Sequence, residues 1–288
     1  MALSVRPSDT VDDFLADAED FLLRREAEHN LLFGICSAIR ATPELFAEDP
    51  PRFHTVVDGS GLAVAATLRT PPHNQVISQV TDAQAVDALA DALAGDALPG
   101  LLAPPDVCAR FLARWHELTG ATARLEVAER IFRLVRVIPP SRPAPGSWRL
   151  AAPEDRSLVA DWLVAFSAEA VPEQAPIPNP LETADRWIAG TYRLLYVWED
   201  GGRTVSLVGA GGETPNGIRI GPVYTPPEAR NRGYASALTA AASADQLARG
   251  RRFCFLFTDL ANPTSNKIYQ AIGYEPVCDM DQYRFDPA

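Results

Sequence analysis

Two arginines and a glycine lie close together in the segment VYTPPEARNRGYASAL, residues 223–238. Arg230 and Arg232 flank Asn231, and Gly233 follows immediately, before an alanine-rich segment that predicts a helix. The first turn of a helix presents backbone N–H groups without intrahelical partners, and the helix dipole adds partial positive charge there. A phosphate group binds favourably at such a position. The segment therefore predicts a phosphate or diphosphate site on a chain whose net charge is −11.

The residue types around this helix start support the prediction. Gly233 has no side chain, so that a ligand can approach the backbone, and Ala235 keeps the next contact small. Asn231 belongs to the few non-glycine residue types that accept a left-handed turn. Arg230 and Arg232 add charge suited to phosphate groups.

The strand predicted before this loop, IRIGPVYT (218–225), contains Gly221 and Pro222. Glycine adds no side-chain packing to a sheet and proline donates no hydrogen bond, so the pair predicts a bulge or a splayed strand edge. A splayed edge leaves backbone donors and acceptors with which a ligand can pair as an added strand would.

A helix over Pro263–Ile272 is delimited on both sides. Asn262 can cap its start, a proline suits the first helical position, and Gly273 suits a left-handed cap at the end. At helical spacing, Asn262, Asn266 and Tyr269 fall on one face.

A proline-rich segment, VIPPSRPAPGSW (137–148), divides the chain. Prolines block helices and remove backbone donors, so this segment predicts a semi-rigid linker at 139–147 between domains at 1–138 and 148–288. In the second domain the patterns predict strands and helices in alternation: a strand at 148–150, helices at 153–166 and from Pro180, strands at 192–200, 204–211 and 218–225, a helix at 234–248, a strand at 253–259, the helix at 263–272 and a strand at 282–285.

The first half shows a weaker version of the same order. The patterns predict a helix at 14–24, a hairpin at 52–70, a strand near 74–80, a helix at 82–95, a strand at 98–105 and a helix at 106–118. The fold class expected is α/β (α+β), with two similar domains, each a mixed, mostly antiparallel central sheet flanked by helices. At the position of the phosphate loop this half has Asp82 and no glycine, so we expect no cofactor there and a role in packing and in shaping an acceptor cleft.

Composition limits the function classes. Hydrophobic residues make up 47% and charged residues 22%, which is typical of a globular protein. No apolar run approaches the roughly 18 residues that span a bilayer, and the start lacks the order of a secretion signal, so we expect a cytoplasmic protein without a membrane partner. The acidic balance argues against nucleic acid. The cysteines (Cys36, Cys108, Cys254 and Cys278) form no C-x-x-C pair, so no metal site is predicted.

The arrangement Arg230-x-x-Gly233-x-Ala235, between a strand and a helix, resembles the acyl-CoA loop of the GNAT N-acetyltransferase superfamily. The resemblance covers most of the second half. It includes the bulged strand, the loop, the strand RFCFLFTD and the helix NPTSNKIYQAIGY, which is similar to the family's segment Asn-x-x-(Ser/Ala)-x-x-x-Tyr-x-x-x-Gly-(Phe/Tyr). The loop alone is a weak signal, whereas the loop and this segment at the right spacing are a strong one. The chain is identified as a tandem two-domain member whose N-terminal half is degenerate.

The resemblance implies an enzyme that moves an acetyl group from acetyl-CoA to a primary amine by direct attack on the thioester. Val223 and Thr225 would hydrogen-bond the pantetheine arm through their backbones. Tyr269 would stand near the sulfur and act as general acid for the leaving thiolate. The cofactor-binding residues predicted are Val223, Tyr224, Thr225, Arg230, Asn231, Arg232, Gly233, Tyr234, Ala235, Ser236, Asn262, Asn266 and Tyr269.

The general base is not determined by the sequence. No histidine lies in the second half, so the base is a carboxylate, a water relay or absent. Glu169, Glu173 and Glu213 are candidates by their location near the expected acceptor entrance, and Glu213 is the tentative choice. An amine that arrives partly neutral needs no dedicated base.

Two alternatives compete with the acetyltransferase. VGAGGET (208–214) superficially resembles a dinucleotide-binding motif, but a turn and a strand are predicted after it instead of the helix that this motif requires. A non-catalytic acyl-CoA-binding sensor remains an alternative function. The acceptor, a small-molecule amine or a peptide, is not specified, although the segment 171–180 is expected to wall its site. A monomer or a homodimer is expected.

Overall fold

The computed structural model describes residues 2–170 and 177–286. Its elements follow the order strand, two helices, three strands, helix, strand, helix, strand, and this order occurs twice. The first copy comprises β1 (Ser4–Ser8), α1 (Val11–Leu23), α2 (Asn30–Ala41), β2 (Arg52–Val57), β3 (Ala63–Arg69), β4 (Gln75–Ile77), α3 (Gln84–Leu93), β5 (Gly100–Ala103), α4 (Pro105–Thr119) and β6 (Thr122–Leu134). The second comprises β7 (Ser147–Leu150), α5 (Arg156–Ala170), α6 (Pro180–Ile188), β8 (Arg193–Asp200), β9 (Arg203–Glu213), β10 (Gly217–Tyr224), α7 (Tyr234–Ala248), β11 (Phe253–Asp259), α8 (Pro263–Ala271) and β12 (Glu275–Asp286). The repeated architecture predicted from the sequence is confirmed.

The chain forms two compact units. Unit 1 comprises Met1–Phe132, Phe257–Asn262 and Pro276–Ala288, and unit 2 comprises Arg133–Leu256 and Pro263–Glu275. Unit 1 thus takes segments from both sides of the proline-rich linker, whereas the domain limits proposed from the sequence, 1–138 and 148–288, divide the chain once. Those limits remain a proposal.

In unit 1 the strands follow the order β1-β2-β3-β4-β5-β12. Neighbouring strands are antiparallel except for β4 and β5, and β12 pairs with β5 through Asp281 and Ala103. Side chains of successive strand residues point to opposite faces. Accordingly, Leu68 packs in a core with α1 and α2, and Ala65 packs in a second core with α3 and α4.

Unit 2 has the strand order β11-β10-β9-β8-β7, in which only the pair β10–β11 is parallel. Leu195 and Val197 of β8 pack with Trp162 of α5 in the core on one face. On the opposite face, the Tyr196 hydroxyl donates to Asp245 of α7 at 2.5 Å. The sheet therefore separates α5 and α6 from α7.

Most of the elements were predicted at nearly the observed bounds, but β12 (Glu275–Asp286) is much longer than the strand expected at 282–285, and β1, α2 and β6 were not predicted. Strand β1 contains a proline and is largely exposed, and α2 begins after His29 without a side-chain cap. In β6 charged residues interrupt the alternation of apolar and polar residues that predicts a strand, because much of β6 is only partly buried. Each of these elements thus lacks the local signal on which a sequence prediction depends.

Two further observations bear on the function classes. The cysteines are free thiols, and Cys36, Cys108 and Cys254 are buried. Among residues 2–170 and 177–286, no helix is both long and apolar enough to cross a bilayer.

Candidate active site

A gap opens along β10 in unit 2. This strand pairs in parallel with β11 over only three residue pairs in the described chain, from Gly217 to Arg219, but stays paired with β9 as far as Tyr224. A register shift against β9 falls between Ile220 and Val223, around a cis Gly221–Pro222 peptide. The bulge that the sequence predicted is confirmed, and the strand edge beyond Arg219 is available to a ligand.

The peptide groups on this edge have a defined direction. The carbonyl oxygen of Tyr224 accepts a hydrogen bond from the hydroxyl of Ser206 on β9 at 3.1 Å. Because successive peptide groups of a strand point to alternate sides, those of Val223 and Thr225 are directed away from β9. The carbonyl of Thr225 accepts from Nε of Arg230 at 2.9 Å. The peptide group of Val223 is therefore the one best placed to pair with a ligand in the gap.

The loop after β10 leads into α7 through two left-handed residues. Asn231 has φ +64° and Gly233, the N-cap of α7, has φ +84°. The N–H of Ala237 donates to the carbonyl of Gly233 at 3.0 Å, which leaves the N–H groups of residues 234–236 without intrahelical acceptors. No acidic residue lies in this first turn. These amides lie within the segment from Arg230 to Ser236, whose backbone is predicted to bind a diphosphate.

Gly233 is required by its conformation. A Cβ built on this residue would meet only Ala144 Cβ at 3.9 Å and the carbonyl oxygen of Arg142 at 4.0 Å, which are ordinary contacts. A residue with a side chain would still be strained at φ +84°. The protein itself thus leaves room for an atom at the Cβ position of Gly233.

Arg230 is bound to the loop and to α5. Its guanidinium forms an ion pair with Glu169, near the end of α5, at 2.6 Å. The hydroxyl of Tyr224 donates to the same carboxylate at 3.4 Å. Burial, together with the nearby Glu169 carboxylate, raises the pKa of Tyr224. The structure therefore brings Glu169, Tyr224 and Arg230 together beside the gap.

Helix α8 carries the predicted general acid, Tyr269. This residue is only 9% exposed, and its ring packs edge-on against Tyr274 with centroids 6.1 Å apart. A hydrogen bond with the Ser265 side chain, one turn earlier, partly offsets the burial that raises the pKa of Tyr269 to about 12. The phenol stays protonated over the physiological pH range. Asn266 lies on the same helix face and Asn262 precedes α8, as the spacing predicted.

The sequence and the fold of the chain are similar to those of known proteins. Residues 201–284 match the family described as FR47-like protein. No curated protein sequence matches the chain significantly. A tandem GNAT protein from the clavulanic acid biosynthesis pathway is 15% identical, over 99% of this chain and 98% of that one, with a TM-score of 0.59. A Drosophila protein aligns over 98% of both chains at 15% identity and a TM-score of 0.70. A GCN5-related N-acetyltransferase from Sphaerobacter thermophilus is 18% identical over 98% of this chain and 95% of that one, with a TM-score of 0.59.

The chain has the tandem GNAT fold. The FR47-like match covers β10, the loop, α7 and α8, so it coincides with the copy in which the gap lies. The first copy has the same element order without that match. The predicted tandem identity is thereby confirmed at the level of the fold.

The side chains of Tyr234 and Tyr274 are buried and hydrogen-bonded within the chain. Tyr234 is 2% exposed, and its hydroxyl donates to Asp200 at 2.5 Å. The hydroxyl of Tyr274 forms a hydrogen bond with Ser243 of α7 at 2.8 Å. Because the side chain of Tyr234 is engaged in this way, this residue can contribute only its backbone N–H to phosphate binding.

Glu213 lies away from the gap. It pairs in register with Ile218, and its carboxylate forms an ion pair with Arg251. At a strand rise of about 3.3 Å per residue, Val223 lies roughly 16 Å further along β10. The tentative base therefore stays a prediction to which the geometry adds no support. Glu173, another candidate, lies outside the described residues.

Three side chains at the site were not predicted from the sequence. Ser206 fixes the direction of the Tyr224 carbonyl, and Ser265 hydrogen-bonds Tyr269. The i, i+4 spacing of Ser265 and Tyr269 could have revealed their contact. Arg193 of β8 reaches across β9 and donates to the carbonyl of Gly221. Nothing in the sequence indicates that contact, because it depends on the register of three strands.

Proposed function

We propose that this chain is an acetyl-CoA-dependent N-acetyltransferase that acetylates a primary amine by direct attack on the thioester. The observation that carries the proposal is a continuous backbone surface in unit 2. It runs from the unpaired edge of β10, through the left-handed loop, to the free amides at the start of α7. The FR47-like match over the same residues and the tandem GNAT fold support this function.

The residues present fit the chemical groups of coenzyme A. The amides of residues 234–236 and the partial positive charge of α7 suit the oxygens of a diphosphate. The peptide group of Val223 suits an amide of the pantetheine arm, since both partners have one donor and one acceptor. Arg230 and Arg232 add positive charge near the loop. This donor set would hold the extended coenzyme along β10.

Acetyl-CoA, when bound, supplies an activated acyl carbon. The acceptor amine forms the new C–N bond at that carbon, and the C–S bond breaks. A backbone N–H on the edge of β10 would polarise the carbonyl oxygen. The surplus proton of the amine nitrogen leaves, and one proton is taken up by the thiolate, so that charge and atoms balance.

Tyr269 would assist the departing sulfur mainly through a hydrogen bond. Its pKa is raised to about 12 by burial, whereas a thiol has a pKa of about 8.5. Complete transfer of the phenolic proton to a thiolate is therefore unfavourable unless the phenol regains a proton from the amine. Donation to the developing negative charge requires no such transfer, and it stabilises the transition state more than the ground state.

The proposal predicts that binding and turnover can be separated at Tyr269. Tyr269→Phe should lower kcat about 100-fold, a typical contribution of a positioned proton donor. The affinity for acetyl-CoA should stay within about twofold, because the ring is retained. Calorimetry measures the affinity, and thiol release measures turnover with a panel of amines, polyamines, aminoglycosides, amino acids and peptides.

Tyr283→Phe is the matched control. Tyr283 belongs to unit 1 and packs against the core that contains Leu101, so its variant should keep both the affinity and the turnover. Unchanged kcat in Tyr269→Phe would remove the assigned role. Calorimetric binding without thiol release from any amine would favour the non-catalytic sensor, and no binding heat at all would overturn the proposed function.

A further inference from the structure

An arginine beside the gap has no carboxylate partner among residues 2–170 and 177–286. Arg193 begins β8 and pairs in register with Gly211 of β9, which pairs in turn with Arg219 of β10. Residues in register on neighbouring strands point to the same face, so both arginines lie on one face with no side chain between them. This is the face of α5 and α6, since Leu195 and Val197 share the alternation of Arg193.

Glycines in β9 make room for the Arg193 side chain. A Cβ on Gly211 would lie 3.0 Å from Arg193 Cβ, and a Cβ on Gly209 would lie 3.1 Å from its terminal nitrogen Nη1. The guanidinium lies over the Trp187 ring of α6, 4.4 Å from the ring centroid, and donates to the Gly221 carbonyl. Glycine in a strand interior contributes no side-chain packing and weakens the strand. Gly209 and Gly211 therefore reduce the packing of β9, and the space they leave is occupied by the Arg193 side chain beside the bulge.

The charge on Arg193 is poorly compensated. Within residues 2–170 and 177–286, no carboxylate lies within ion-pair distance of it, and its buried Nε has no hydrogen-bond partner. Burial and the like charge of Arg219 lower the pKa of Arg193 to about 10, so the group remains charged at neutral pH. A buried cation without an anion costs folding free energy, and such groups often mark functional sites.

We propose that Arg193 binds a carboxylate of the acceptor, so that the preferred substrate is an amine with a carboxylate a few bonds away, such as an amino acid. The inference rests on the proposed function and names its substrate class. The Gly221 carbonyl that Arg193 contacts lies two residues before Val223, where the pantetheine arm is proposed to pair. A carboxylate on Arg193 would thus hold the amine close to the acyl carbon. It would also supply an anion to a guanidinium that has none among the described residues.

The test uses pairs of amines that differ in one charge. Each common L-amino acid, β-alanine and 4-aminobutyrate is compared with its primary amide. We expect kcat/KM of the best carboxylate to exceed that of its amide by about 50-fold, as for a charged hydrogen bond. In Arg193→Met this preference should fall to about twofold or less. Calorimetry of the same pair with CoA-saturated protein should show the same loss without any turnover.

Arg249→Met is the matched control. This arginine follows α7 and forms an exposed ion pair with Asp245, so its removal should leave the preference unchanged. Arg193→Lys keeps the charge and should retain part of the preference, which separates charge recognition from a purely structural role. Equal activity of wild type with both members of every pair, or an equal loss for both in Arg193→Met, would overturn the inference. If no amine of any class releases thiol, the proposed function itself fails.

Discussion

The two copies of the fold differ at one equivalent position, the start of α3 in the first copy and of α7 in the second. In the first copy, the carboxylate of Asp82 accepts a hydrogen bond from the N–H of Gln84, at the start of α3, at 2.9 Å. In the second copy, α7 begins at Gly233, which offers no side chain, and no acidic residue follows in the first turn. A side chain of the protein therefore accepts from a backbone N–H at the start of α3, whereas no side chain among the described residues does so at the start of α7, where the N–H groups can bind a ligand.

The strands that precede these helices also differ. The hydroxyl of Ser78, just after β4, accepts from the N–H of Ala66 at 3.0 Å and donates to the carbonyl of Gln79 at 2.6 Å. The side-chain amide of Gln75 donates to Thr67 at 2.6 Å. In β10 the corresponding region has a glycine and a proline, and its register against β9 shifts there. Because Ser206 likewise bonds the backbone of β10, it is the bulge at Gly221 and Pro222, with no counterpart in β4, that distinguishes the two strands.

A carboxylate introduced in the first turn of α7 should make its start resemble that of α3, and it should have the largest effect on acetyl-CoA binding. Ala235→Asp places a negative charge among the amides of residues 234–236. It should weaken acetyl-CoA binding more than 100-fold, because the charge opposes the diphosphate and competes for its donors. An acidic residue in the first turn of a helix is favourable for the helix, so the free energy of unfolding should stay equal or rise by about 0.5 kcal/mol. Calorimetry and urea unfolding measure the two effects.

Ala235→Asn isolates the charge in that experiment. The side chain has nearly the same size and no charge, so its affinity should lie between those of the wild type and Ala235→Asp, at a loss of about tenfold. If Ala235→Asp binds acetyl-CoA as tightly as Ala235→Asn, then the start of α7 does not hold the diphosphate.

The conformation of Gly233 should have a smaller effect. Gly233→Ala should cost about 1–2 kcal/mol of unfolding free energy through its positive φ. It should also weaken acetyl-CoA binding about tenfold, because the loop must shift at the point where the amides are aligned. Gly250, just after α7, has φ +97°, and a Cβ built on it would meet no atom within 4 Å. Gly250→Ala should therefore show a similar stability loss with unchanged affinity, and equal affinities in the two variants would contradict a binding role for Gly233.

Local signals explain how much of this site could be predicted. The bulge followed from Gly221 and Pro222, and the bounds of α7 and α8 followed from glycine, proline and alanine patterns, because each depends on the conformation of a few adjacent residues. The ion pair of Arg230 with Glu169 and the position of Arg193 were not predictable, since they join residues far apart in sequence. The placement of β12 in unit 1 escaped prediction for the same reason.

Removing the Asp82 carboxylate before α3 should have the smallest effect of these substitutions, and it tests the comparison on the first copy. Asp82→Ala deletes the carboxylate that accepts from Gln84, which should lower the unfolding free energy by about 1 kcal/mol, while Asp82→Asn should restore about half of it. Acetyl-CoA should still bind at one site per chain with unchanged affinity. The first copy would still lack the left-handed glycine at the helix start and the bulge in the strand before it. A calorimetric stoichiometry of two in Asp82→Ala would show that a single carboxylate separates the copies, and would contradict the role assigned to the strand.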